Sequence, residues 1–171
     1  MRVYLTGFMG SGKTAAGEKL AQRLGFPFVD LDSEVEARAG MTVREIFEQL
    51  GEPAFRGLEQ EALRATGELP DVVVATGGGT PTFDANARWI GANGVSVWLN
   101  PPFATIVSRI GALGKQDRPL FRDEVQALAL YRERLPAYRR ADLTVEVGPA
   151  EQAEEIAARI ELLIGGGRCV T

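Results

Sequence analysis

The sequence predicts an α/β fold in three layers, α/β/α, with a five-stranded parallel sheet between helices, a phosphate-binding loop and a lid. Three observations predict it. Short β-branched and apolar runs alternate with segments of helical spacing, the pattern of units that build parallel sheets. One run, Asp71 to Thr76 (DVVVAT), is apolar almost without interruption, as a strand covered on both faces requires. Glycine-rich turns follow the first and third runs, at Gly7 to Thr14 (GFMGSGKT) and at Gly77-Gly78-Gly79. Ligands of such folds bind at the carboxyl ends of the strands, so the loops after strands one, two and three are the places to look.

The elements follow in order. Val3-Tyr4-Leu5 reads as the first strand, and the helix from Lys13 to Leu24 shows its apolar spacing in Ala16, Leu20 and Leu24, with Gly25 as its C-terminal signal. Phe28-Val29 is a second short strand ending on Asp30. Thr42-Val43-Arg44-Glu45 is a capping box, opening a helix with Val43, Ile46, Phe47 and Leu50 on its apolar face, and a further helix runs from Pro53 to about Ala65. Strand three is Asp71 to Thr76; a helix follows over Phe83 to Ile90, strand four over Val95 to Leu99, and a helix over Pro102 to Ile110. Gly111 to Phe121 (GALGKQDRPLF) breaks all periodicity. Helix resumes near Asp123 and is expected to be interrupted at Pro136; Leu143 to Val147 is strand five, and Gly148-Pro149 is expected to cap a last helix through Leu163, before a loose GGGRCVT tail.

Composition sets bounds on function. A chain of 171 residues, 45% hydrophobic, fits one domain with a real core. Net charge is −4 with both signs interspersed, so no basic stripe offers itself to nucleic acid. The single cysteine, Cys169, excludes an intramolecular disulfide and a cysteine zinc site and suits a reducing cytosol. No apolar run reaches the ~20 residues of a membrane span, and the sequence begins with a strand, so a cytoplasmic protein is expected. Histidine is absent, which leaves proton transfer to carboxylates, lysine, tyrosine or water.

The pattern G-x-x-x-x-G-K-[ST] is met by Gly7, Gly12, Lys13 and Thr14, in the strand-to-helix setting that gives it meaning. Glycine backbone turns N–H groups toward phosphate oxygens, Lys13 reaches the β and γ phosphates, and the Thr14 hydroxyl binds Mg²⁺. No N-K-x-D guanine motif is present, which excludes a GTP-binding switch and points to a small ATP-dependent kinase. Such an enzyme needs an acidic residue near the metal, a grip on the acceptor and a basic lid. Asp30-Leu31-Asp32 supplies carboxylates just past strand two: an extended chain there puts both on one side, toward metal and acceptor hydroxyl, whereas a helix start makes them caps. Arg56 and Glu59 share a helix face, as a surface pair or as part of a site. Arg118, in the irregular segment, reads as a lid arginine or a solvated loop charge.

Together these residues resemble the shikimate kinase family of phosphate-loop kinases, through GFMGSGKT (7–14), PFVDLD (27–32), AGMTVREIFEQLGEPAFRGLE (39–59), ATGGG (75–79), RPL (118–120) and R-x-P-x-Y (Arg134, Pro136, Tyr138). The resemblance extends from about residue 3 to 147 and departs from the family's usual pattern at Thr80-Pro81. It implies a single kinase domain over 1–171, with a shikimate-binding region at about 31–62 and a lid at about 111–123. The implied reaction is transfer from Mg-ATP to the 3-hydroxyl of shikimate, by a monomer without nucleic-acid or membrane partners. Lys13, Asp32 and Arg118 would be catalytic; Gly10, Ser11, Gly12, Lys13, Thr14 and Ala15 would bind nucleotide, with Arg118 closing over the phosphates and Arg109 and Pro149 flanking adenine. Thr14 and Asp30 would hold Mg²⁺, Asp30 through water. Asp32, Arg56, Gly77, Gly78, Gly79 and Arg134 would meet shikimate, both arginines taking its carboxylate and Glu59 orienting Arg56.

Overall fold

Parallel pairing puts five carboxyl ends on one edge of the protein. The computed structural model describes residues 1–113 and 123–166, and its strands are β1 (Arg2–Thr6), β2 (Phe28–Asp30), β3 (Val72–Ala75), β4 (Val95–Asn100) and β5 (Leu143–Glu146). They form one sheet in the order β2-β3-β1-β4-β5, every pair parallel. The chain leaves β1 toward β2 and β3 on one side, then crosses to β4 on the other, so the order reverses at β1. That switch point is where such sheets open a ligand crevice. Register completes the placement: Leu5 and Asp30 both pair with Ala75, so the loop after β1, the end of β2 and the turn after β3 converge.

The helices are α1 (Lys13–Leu24), α2 (Leu31–Ala39), α3 (Val43–Gln49), α4 (Glu52–Ala65), α5 (Asp84–Asn93), α6 (Phe103–Leu113), α7 (Glu124–Tyr138) and α8 (Ala153–Gly166), with 3₁₀ turns at Thr66–Glu68 and Thr80–Thr82. Alternation along β1 divides the core between the sheet's two faces. Val3 and Leu5 pack with Leu20 of α1 and Ile156 and Ile160 of α8, while Tyr4 packs with Leu31, Val35, Ile46 and Leu63. A third cluster, Phe8, Trp98, Ile106, Ile110 and Tyr138, joins the phosphate loop to α6 and α7. Among the described residues no helix is long and apolar enough to cross a membrane.

Most expected elements stand within three residues, α5 running on from Ile90 to Asn93; the other differences have physical reasons. Residues 31–39 form a helix, α2, because Leu31 and Val35, four apart, bury one face and Asp30 caps the start. Leu50 is exposed, lying past the end of the seven-residue α3, although the capping box of Thr42 and Glu45 is formed. α7 runs through Pro136 to Tyr138: a proline removes one helical hydrogen bond, and the buried Arg134 and Tyr138 hold the last turns in place. α8 begins at Ala153, not at Gly148-Pro149, because the Gly148 N–H is taken by the Glu151 carboxylate in a preceding turn and the Gln152 N–H by Glu155. α6 continues through Leu113, and α8 includes Gly165 and Gly166, so only parts of the expected lid and tail begin where periodicity fails. Arg118, the rest of the lid to residue 122 and Cys169 lie outside the described residues.

Candidate active site

Gly12 precedes α1 at φ 93°, a left-handed conformation that only glycine adopts without strain, and it aims the first N–H groups of the helix into the crevice. Lys13 is held inside the same loop: its Nζ donates to the Gly7 carbonyl at 2.8 Å and to that of Phe8 at 2.9 Å. Ser11 is fully buried beneath the loop. Arg109, from α6, lies across it and donates from Nη1 to the Gly10 carbonyl at 3.2 Å. Gly10, Gly12, Lys13, Thr14, Ala15 and Arg109 all line a cavity of about 430 Å³, and Asp30, Asp32, Gly77 and Gly78 form its far wall. Pro149 sits after β5 and does not line it.

Asp30 caps a helix with one oxygen and turns the other to the phosphate loop. Its Oδ1 accepts from the N–H groups of Asp32 (3.0 Å) and Ser33 (3.2 Å), capping α2, while its Oδ2 accepts from the Thr14 hydroxyl at 2.7 Å. The two carboxylates share the cavity through a helix start, not through the extended chain that alternation suggested. Thr14 and Asp30 offer a hydroxyl and a carboxylate beside the phosphate loop, a hard-oxygen set that fits Mg²⁺ held mainly by nucleotide phosphates and water. No group of three or more acidic, histidine or cysteine side chains could hold a metal alone among the described residues.

The glycine triplet has a spatial reason invisible in the linear chain. A Cβ on Gly77 would stand 2.6 Å from Glu59 Oε2, one on Gly78 3.0 Å from Arg134 Nη1, and one on Gly79 2.5 Å from Arg56 Nη2. Three charged side chains from α4 and α7 therefore press on bare backbone. Arg56 and Arg134 also line a second cavity of about 590 Å³, and both stand against the triplet whose Gly77 and Gly78 line the first.

Glu59, 1% exposed, accepts from Arg56 Nη1 at 3.0 Å. Arg56 also donates from Nε and Nη2 to Glu52 and lies over the Phe55 and Phe83 rings, 5.1 Å from each centroid. Among the described residues three of its five N–H donors are thus engaged, which leaves two. Arg134, 6% exposed, lies over Phe8 and has no carboxylate partner among the described residues. Tyr138, one turn along α7, donates to the Gly78 carbonyl at 2.7 Å; burial pushes its phenol pKa far above the ordinary value, so it remains a donor.

Thr80, Phe83 and Tyr138 had no assigned role on sequence grounds. Tyr138 was within reach of inference, four residues from Arg134 on one helix face, and Thr80 adjoins the triplet; nothing in the sequence marks Phe83.

The family model for shikimate kinase matches residues 9–164. The chain is 41% identical over 161 residues to a shikimate kinase of Ruegeria pomeroyi, covering 92% of this chain and 82% of that protein. Against the solved structure of shikimate kinase from Acinetobacter baumannii in complex with shikimate, it has a TM-score of 0.93 at 34% identity, over 99% of this chain and 95% of that one. The crystal structure of shikimate kinase from Aquifex aeolicus matches with a TM-score of 0.83 at 35% identity, over 98% of each chain.

Proposed function

The chain belongs to the shikimate kinase family, the ATP:shikimate 3-phosphotransferases of aromatic amino-acid biosynthesis, and from that premise we propose how its residues divide the work. Lys13 and the loop N–H groups hold the β and γ phosphates, with Arg109 and Pro149 beside the adenine. Thr14 and Asp30 would hold Mg²⁺, Asp30 through water, and the bound ion would supply positive charge to the phosphates. Asp32 orients the 3-hydroxyl of shikimate toward the γ-phosphorus. The new O–P bond forms as the bond to the β–γ bridging oxygen breaks, and the hydroxyl proton passes to Asp32 late, because a loose transition state asks little of a base. Arg118 is assigned to the transferring phosphoryl group on sequence grounds alone. The protein acts as a cytoplasmic monomer in this reading.

One observation carries the acceptor assignment: Arg134 is a buried guanidinium without a carboxylate partner among the described residues, and it shares a cavity with an Arg56 that has two spare donors. Two such forks suit a planar carboxylate. The test is ADP release with Mg-ATP and either shikimate or gluconate. Turnover with shikimate is expected; turnover with gluconate but not shikimate would overturn the reading.

The metal assignment is tested by Asp30→Asn. Asparagine caps a helix as well as aspartate does, so thermal stability is expected to hold. Loss of the charge should raise the Mg²⁺ concentration for half-maximal rate about 10- to 100-fold, the usual size for a group holding a metal's ligands. An unchanged Mg²⁺ dependence counts against it.

A further inference from the structure

Arg56 is held in three ways of unequal strength. The Phe55 and Phe83 rings attract its guanidinium, but attraction to a ring is broad, whereas hydrogen bonds fix direction. Glu52, which bonds Nε and Nη2, is 48% exposed, and an ion pair so open to water holds weakly. Glu59 is the buried partner, and its two oxygens are divided. Oε1 accepts from Arg56 and Oε2 accepts from the Thr80 hydroxyl at 2.7 Å. Thr80 is itself fully buried and fixed at both ends of its backbone: its N–H donates to the Gly77 carbonyl at 3.1 Å, and its carbonyl accepts from Asn86 Nδ2 at 3.2 Å.

We propose that Thr80 is a positioning residue of the acceptor site, its hydroxyl fixing Glu59 and, through Glu59, the two Arg56 donors that meet the acceptor's carboxylate. The inference rests on the reading that Arg56 grips that carboxylate. Its logic is competition for donors. A buried carboxylate oxygen deprived of its partner is costly, and Arg56, already bonded to the other oxygen of the same carboxylate, carries further N–H donors. Without the Thr80 hydroxyl, Glu59 turns its freed oxygen toward the guanidinium and takes an N–H that the acceptor needs. Gly77 leaves room for this link, since a Cβ there would lie 2.6 Å from Glu59 Oε2 and 3.1 Å from Thr80 Oγ1.

The test is steady-state kinetics on Thr80→Val, which keeps shape and removes the hydroxyl, beside Thr80→Ser, which keeps the hydroxyl. Thr80→Val is expected to raise the KM for shikimate about tenfold, of the order of one charged hydrogen bond, with the KM for ATP within twofold of wild type. Thr80→Ser should restore the shikimate KM to within twofold of wild type. Thr80→Ala provides a second hydroxyl-free variant, expected to shift the shikimate KM in the same direction, should Thr80→Val not fold. Arg56→Ala in the same assay separates two failures. If it leaves the shikimate KM unmoved, the underlying reading falls. If it raises that KM while the hydroxyl-free variants do not, or while they raise both substrates' KM alike, the role of Thr80 is overturned.

Discussion

Replacing Lys13 by methionine is expected to lower kcat by about two to three orders of magnitude, the usual loss when one preorganised donor to a developing charge is removed. Methionine keeps most of the unbranched stem and removes the ammonium. That ammonium donates to the Gly7 and Phe8 carbonyls, so the loop is shaped around a positive charge. In the proposed reaction the charge serves most where negative charge gathers between the β and γ phosphates. Single-turnover ADP formation measures the effect. A rate within tenfold of wild type would remove Lys13 from the catalytic group.

Arg134→Ala is expected to raise the KM for shikimate about 30-fold or more, the lower end of what truncating one partner of a buried charged pair costs. The KM for ATP should stay within twofold, because Arg134 lines the second cavity and is not among the residues lining the phosphate-loop cavity. Stability should fall modestly, by the packing that Arg134 gives the last turns of α7 and no more, for a specific reason. Arg134 has no carboxylate partner among the described residues, so its removal strands no buried negative charge; what is lost is its contact with Phe8 and with the Tyr138 hydroxyl. Thermal unfolding beside the kinetics separates the cases, and a large drop in melting temperature with equal loss of both substrates would contradict a binding role.

The donor half of the site was legible in the sequence because it is local. Gly7 to Thr14 carries its partners within eight residues, and the strand-to-helix setting is readable from period alone. The acceptor half is not local. Glu59, Arg134 and Arg56 meet Gly77, Gly78 and Gly79 across separations that no spacing rule reaches, so only resemblance to a family brought them together. Asp30 shows a different limit: capping and metal binding looked like rival readings, yet the two oxygens of one carboxylate divide the geometry between them. The helix start at Asp30 stood beside an extended reading because a carboxylate pair at alternate positions also fits a strand end, and the burial of Leu31 and Val35 that decides for α2 is a tertiary fact. Pro136 inside α7 has the same cause, since the packing of Arg134 and Tyr138 outweighs a local break.

The central claim is that two arginines set against a bare glycine backbone choose the acceptor by its carboxylate. Calorimetric titration of the wild-type protein with shikimate and with its uncharged carboxamide tests it most directly. Shikimate should bind at least about 30-fold more tightly, as loss of a buried charged pair requires, and that preference should shrink to a few-fold in Arg134→Ala. Equal affinity of the wild-type protein for the acid and the amide would contradict the account.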